Sequence, residues 1–146
     1  MTAGRRLPGE LRIAVPADPR VVPQVRSAVT AFCRGGGWRG RAVEEVGLAL
    51  TEVCNNALEH GNAGGPGLRV LLGLEPDRIV LRVIGGGADK AVNLRRALGS
   101  SGGLPREDDE RGRGLFLVRA CMDDVKVRTV RGQTEVRLIK ERRSAR

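Results

Sequence analysis

Aromatic side chains are scarce in this chain of 146 residues, which has two Phe, one Trp and no Tyr. That scarcity removes the stacking platform on which single-stranded bases are read, and no zinc-finger or RNP signature stands in its place. Cysteine is sparse as well. Cys33, Cys54 and Cys121 are far apart, odd in number, in no C-x-x-C arrangement and set in apolar surroundings. They read as reduced core residues and not as metal ligands or nucleophiles. No apolar run approaches membrane-spanning length, and the opening MTAGRRLPGE has charge without an apolar h-region. Neither secretion nor anchoring is indicated, so the expectation is a cytoplasmic protein with no membrane partner. The length fits one domain, and a hydrophobic content of 40% can fill its core. No internal repeat is visible.

What the chain has in excess is positive charge, +9 in all. Part of it is in the ends, +1 from residues 1–10 and +3 from residues 140–146, which leaves +5 for the body. Without aromatics or a recognisable module, direct nucleic-acid binding is the weaker reading of that charge. It also suits a partner with an acidic face, or an Arg-heavy solvated surface.

The stretch around which the rest is organised is Glu44 to Gly61, EEVGLALTEVCNNALEHG. Val43, Val46, Leu50, Val53, Cys54 and Ala57 recur at three- and four-residue intervals and predict a helix starting near Arg41 with an apolar stripe. Glu52, Asn56 and His60 are successive i to i+4 neighbours on its flank, so a carboxylate, an amide and an imidazole are stacked along one side. Asn is a poor helix former, and Asn55 and Asn56 stand together, which points to a role other than helix stability. The same flank also reads as a solvated helix face with Gly61 as C-cap.

Taken in order, Leu11 to Val15 alternates as a strand, and Asp18-Pro19 supplies an N-cap and a first-position proline for a helix to about Cys33. Gly35-Gly36-Gly37 ends it. Beyond the organising helix come strands over 68–74 and 78–84, joined by Glu75-Pro76-Asp77, as a hairpin. Gly85-Gly86-Gly87 then opens a long irregular stretch to Arg111, with a helical turn or two over 93–98; a loop of that length is functional or disordered. Gly112-Arg113-Gly114 stands immediately before an apolar helical run, Leu115 to Met122. Glycines opening a helix let backbone N–H groups approach an anion, and the Arg adds a cation suited to phosphate; a plain flexible helix start reads the same way. A second hairpin, 124–130 and 133–140 around Arg131-Gly132, closes the chain.

Together, E-x-x-x-N-A-x-x-H-G (Glu52, Asn56, Ala57, His60, Gly61), a glycine run after a strand, G-R-G-L before a helix and a closing Q-T-x-V strand resemble the GHKL, or histidine kinase-like, ATPase superfamily. Within it the likeness is to small bacterial anti-sigma factor serine kinases, and it covers residues 11–140. The resemblance implies an α+β fold, a two-layer Bergerat-type sandwich with a mixed, mostly antiparallel sheet covered on one face by helices. It implies ATP and Mg²⁺ as cofactors, Asn56 as metal ligand, and Glu52 as base or water-orienting carboxylate. Gly85 and Gly87 would line the nucleotide pocket, the backbone of Gly112, Gly114 and Leu115 together with Arg113 would contact phosphates, and Thr134 would sit near the adenine. His60 matches the pattern too, although a helix-end His that satisfies nearby carbonyls fits its place better. It also implies a lid over about 89–111 and tails over 1–10 and 141–146. A sigma factor and an anti-anti-sigma antagonist, phosphorylated on serine, would be the partners, and a homodimer the assembly. No Walker P-loop and no protein-kinase H-R-D or D-F-G set is present.

One position departs from that pattern. Family members carry an Asp, in D-x-G-x-G, that accepts a hydrogen bond from the adenine amino group; here Gly85 stands there and the second glycine falls on Asp89. A lost hydrogen bond to a charged group costs about 1.5–3 kcal/mol, roughly ten- to hundredfold in affinity. Two functional classes therefore stay open: an active serine kinase with weakened adenine recognition, and a non-catalytic interaction module of the same fold that regulates a partner by binding alone.

Overall fold

The computed structural model describes residues 9–59, 65–87 and 110–143. Strand β1, Leu11–Val15, leads to a tight 3₁₀ turn, Pro19–Val21, and then helix α1, Val22–Gly35. Asp18 caps the turn by accepting a hydrogen bond from the Arg20 backbone N–H at 3.0 Å. The sequence predicts one continuous helix from Pro19; the break comes from Pro23, which has no N–H to return to residue 19. Val22, Val25, Val29 and Cys33 form the buried stripe of α1. Its last carbonyls, Phe32 and Cys33, accept from Gly36 N–H, and Gly37 turns the chain at φ +92°.

Helix α2, Gly40–Glu59, is the expected organising helix. Val43, Val46, Ala49, Leu50, Val53, Cys54 and Leu58 are buried along it, a full stripe at helical spacing. Gly47 lets α1 come close. A methyl group there would stand 3.0 Å from both Arg26 Nε and Thr30 Cγ2.

Strands β2 (Leu68–Leu74), β3 (Arg78–Gly87), β4 (Asp124–Val130) and β5 (Gln133–Glu141) complete a five-stranded sheet in the order β1-β2-β3-β5-β4. Every pairing among the described strands is antiparallel, where a mixed and mostly antiparallel sheet was expected. The β4–β5 turn has positive φ at both Arg131 and Gly132, as the right-handed strand twist favours in a two-residue hairpin. Helix α3, Glu110–Cys121, precedes β4.

Within each strand the core residues are alternate ones: Val70 and Leu72, Leu81 and Val83, Val136 and Leu138 among them. The helices therefore cover one face of the sheet, as an α+β sandwich requires. Two long-range clasps brace it. Buried Lys140 donates to Glu45 Oε1 at 2.8 Å and to the Cys121 carbonyl at 2.6 Å, which joins β5 to α2 and the end of α3. Arg142 lies 4.1 Å over the ring of buried Trp38, and its backbone N–H reaches the Asp77 carbonyl at 2.7 Å. No helix among the described residues is long and apolar enough to cross a membrane.

Two expectations are corrected. The run Gly85-Gly86-Gly87 is not a loop: β3 continues through it because β5 supplies Thr134 and Gln133 as partners for Gly85 and Gly87, with an irregularity at Gly86, φ +71°. Gly112 to Gly114 do not precede a helix either. They lie inside α3, which begins at Glu110.

Candidate functional site

Between α2, α3 and the sheet lies a narrow pocket that opens to solvent, with a cavity of about 20 Å³, room for about one water before any ligand parts its walls. Val53, Asn56 and Ala57 of α2 form one wall and Leu115 and Val118 of α3 another. Val83 and Gly85 of β3, Val125 of β4 and Thr134 and Val136 of β5 make the floor. Asn56 and Thr134 are the polar side chains in an otherwise hydrocarbon lining, Asn56 half-buried and Thr134 buried.

The α2 wall follows from helical spacing. Val53 and Ala57 are one turn apart, Asn56 lies on the same side, and Glu52 is one turn behind Asn56. Glu52 is not among the pocket walls. Its carboxylate lies against α3 at Gly114, where an added methyl group would stand 2.5 Å from Oε2. The atom in the way is the far end of a flexible side chain, so a Cβ at 114 would displace the Glu52 carboxylate from this position rather than hold the helices apart.

At the other end, the Cβ direction of Gly85 points at Leu68 of β2. A methyl group there would overlap Leu68 Cδ2 and sit 2.9 Å from the Gly67 carbonyl oxygen. Leu68 and Gly85 are directly paired across β2 and β3, and Leu68 is buried. Hydrocarbon therefore fills the volume that a side chain at position 85 would need.

The expected site residues fall into groups. Asn56, Gly85, Leu115 and Thr134 line the pocket, and Glu52 and Gly114 meet beside it. Gly87 ends β3 opposite Gln133, and Gly112 and Arg113 belong to the backbone of α3. His60, Asp89, the helical turn over 93–98 and the lid as far as 109 lie outside the described residues. Sequence reasoning passed over Val83, Val118, Val125 and Val136 as walls, and Leu68 as the residue packed against Gly85. Period-two alternation marks the strand residues among them as inward-facing, but only the register of the sheet brings Leu68 to Gly85.

The donor set for a divalent cation is thin. No group of three His, Cys, Asp or Glu side chains comes together among the described residues. An ion bound beside Asn56 would draw its remaining ligands from phosphate oxygens and water, which is how Mg²⁺ is ordinarily held. Asn56 and nearby Glu52 fit that demand. The thiols play no part in such chemistry: burial pushes Cys54 up to about 12 and Cys33 up to about 11, and raises Cys121 as well.

Residues 15–140 match the model of the histidine kinase-like ATPase domain. The chain belongs to this family. Among curated relatives of this ATPase domain, the serine-protein kinase RsbW of Halalkalibacterium halodurans is 29% identical over 124 residues, 83% of this chain and 76% of that protein. The serine-protein kinase RsbW of Bacillus cereus is 26% identical over 129 residues, 86% of this chain and 81% of its own. Among solved structures, the RsbU and RsbW domains of Rv1364c from Mycobacterium tuberculosis superpose with a TM-score of 0.67 at 20% identity, over 94% of this chain and 34% of that longer one. The SiaB-SiaC complex from Pseudomonas aeruginosa gives a TM-score of 0.67 at 13% identity, over 88% of each chain. At those identities the two structures establish a shared fold. The ATPase domain thus has the α+β architecture of RsbW-like proteins.

Proposed function

We propose that this ATPase domain is an anti-sigma regulatory factor that binds ATP with Mg²⁺ and phosphorylates a serine of an antagonist protein. The observation that carries the proposal is the gathering of Asn56, Leu115, Gly85 and Thr134 from α2, α3, β3 and β5 around one pocket, with Glu52 beside it. Relatives named as serine-protein kinases along most of the chain support the same reading.

In this reading the nucleotide base enters the hydrocarbon end near Thr134, where Val83, Val125 and Val136 exclude water. Its phosphates extend towards α3. Asn56 supplies its amide oxygen to the metal, and Glu52 orients the attacking serine hydroxyl and accepts its proton. The backbone of residues 112–115 and the Arg113 cation meet the phosphate oxygens, Gly87 borders the nucleotide, and 89–111 serves as lid. Bound Mg²⁺ neutralises the charge spread over the transferred phosphoryl group, so positioning and charge are what the protein has to provide. Cytoplasmic residence, regulation of transcription through a sigma factor, and a homodimeric assembly belong to this reading.

The filled space at Gly85 favours a second reading, in which the pocket has lost adenine recognition and the protein acts by binding alone. Calorimetric titration of ATP and ADP, with and without Mg²⁺, into the protein and into Asn56→Ala separates the two. Magnesium-dependent binding that Asn56→Ala removes supports the kinase. Absence of binding at millimolar nucleotide overturns it and leaves the interaction module.

A further inference from the structure

The helix-free face of the sheet carries chemistry that the nucleotide pocket does not use. Strand alternation places Arg12, Arg69, Arg82, Lys126, Arg128 and Arg137 on it, against Asp124, Glu135 and Glu141. A trough of about 310 Å³ crosses this face, with Leu71, Gly73 and Val80 as its floor and Arg82, Arg128 and Arg137 along it. Glu10 and Glu75 also line it.

Glu135 organises the guanidinium groups. Its carboxylate is buried, with Arg128 Nε at 2.6 Å from one oxygen and Arg82 NH1 at 3.7 Å from the other. This buried anion holds Arg128 by a hydrogen bond and Arg82 by a looser ion pair; with Glu10 and Glu75 it balances the three Arg of the trough, and the positive surplus of the face lies around it, at Arg12, Arg69 and Lys126. Arg82 also reaches Glu10 at 3.8 Å, a loose contact between partly exposed groups. Arg128 remains 60% exposed, so its terminal N–H groups face solvent. Arg137, directly opposite Arg82 in the register, has no ion pair or side-chain hydrogen bond among the described residues.

We propose that this trough is a docking surface for an acidic segment of a protein partner. Planar guanidinium forks match carboxylates in pairs, and here they are pre-oriented by Glu135, which lowers the ordering cost of binding. The apolar floor, widened where Gly73 has no side chain, takes a hydrophobic residue between the flanking acids. A second copy of the chain presented face to face would bring like charges together, and no aromatic side chain stands on this face to stack a nucleic-acid base. The proposal does not depend on whether the opposite face of the sheet binds nucleotide.

The test is titration of the full-length ¹⁵N-labelled protein, without nucleotide, with a synthetic peptide of Asp and Glu around a central Leu. Amide shifts confined to β2, β3, β5 and β4, and weakened about tenfold by Arg137→Glu, are the expected result. Val80→Asp, also on this face, provides a second variant should Arg137→Glu fail to fold, and it too should weaken the binding about tenfold. Shifts centred on α2 and α3, or none, overturn the proposal. So does tighter binding of an oligothymidylate of matched charge to the same residues, or a dimer in sedimentation that Arg137→Glu splits.

Discussion

At the Glu52 end of the pocket a glycine makes room for a carboxylate; at the Gly85 end a glycine lies under a methyl group. Gly114 and Gly85 are both positions where a Cβ would collide with a neighbour from another element. The neighbours differ in kind, Glu52 Oε2 in one case and Leu68 Cδ2 in the other. Glycine therefore says that something comes close and not what it is. The chemistry of each end is set by the residue that occupies the vacated volume: the α2 end keeps the polar groups that handling phosphate needs, while the β2–β3 end is packed like a core.

The largest expected effect tests the polar end. Glu52→Gln should lower phosphate transfer about a hundred- to ten-thousandfold, the range ordinarily lost with a general base, and leave the nucleotide dissociation constant nearly unchanged. Retained transfer in a radiometric assay would show that the contact at Gly114 is structural only. Next comes a change remote from both ends. Lys140→Ala strands Glu45 and the Cys121 carbonyl, and should cost about 2 kcal/mol in urea denaturation, below the figure for fully buried pairs because Glu45 stays a quarter exposed.

Smaller in size, but aimed at the apolar end, is the pair Gly85→Asp and Leu68→Ala/Gly85→Asp. The single variant should lose about 1–3 kcal/mol of stability by overpacking against Leu68. The double variant should prefer ATP over GTP about tenfold more than the wild type does, since one hydrogen bond to a charged acceptor is worth about that much. An unchanged preference would mean that the base does not lie at Gly85. The smallest effect concerns Cys54, behind the α2 wall. Burial raises its folded-state value above the ordinary 9.0 to about 12, so the unfolded chain loses its proton first. Stability should therefore be undiminished by this group below pH 9 and fall as pH rises from about 9 to 12, which denaturant midpoints across that window will measure.

Much of the fold was legible because its signals are local. The α2 stripe from Val43 to Leu58, the Asp18 cap, the alternation of β1 and β2 and the Arg131-Gly132 turn each depend on residues within a turn or a few positions of one another. The flank that stacks Glu52 and Asn56 is local in the same sense, being an i to i+4 relation. The end of β3 was not legible. A glycine run has no side-chain pattern of its own, and its strand character comes from Thr134 and Gln133, which stand nearly fifty residues later.

Local pattern accounts for the set of elements, their polarity and the clustering of Glu52 and Asn56 on one helix, because helix and strand periods are short-range consequences of backbone geometry. The strand order β1-β2-β3-β5-β4, the meeting of Glu52 with Gly114, the filling of Gly85 by Leu68 and the clasp of Lys140 on Glu45 came from the packed fold alone. Those are contacts between segments far apart in the chain. They are selected by the joint packing of both layers at near-crystalline density, which no single segment encodes.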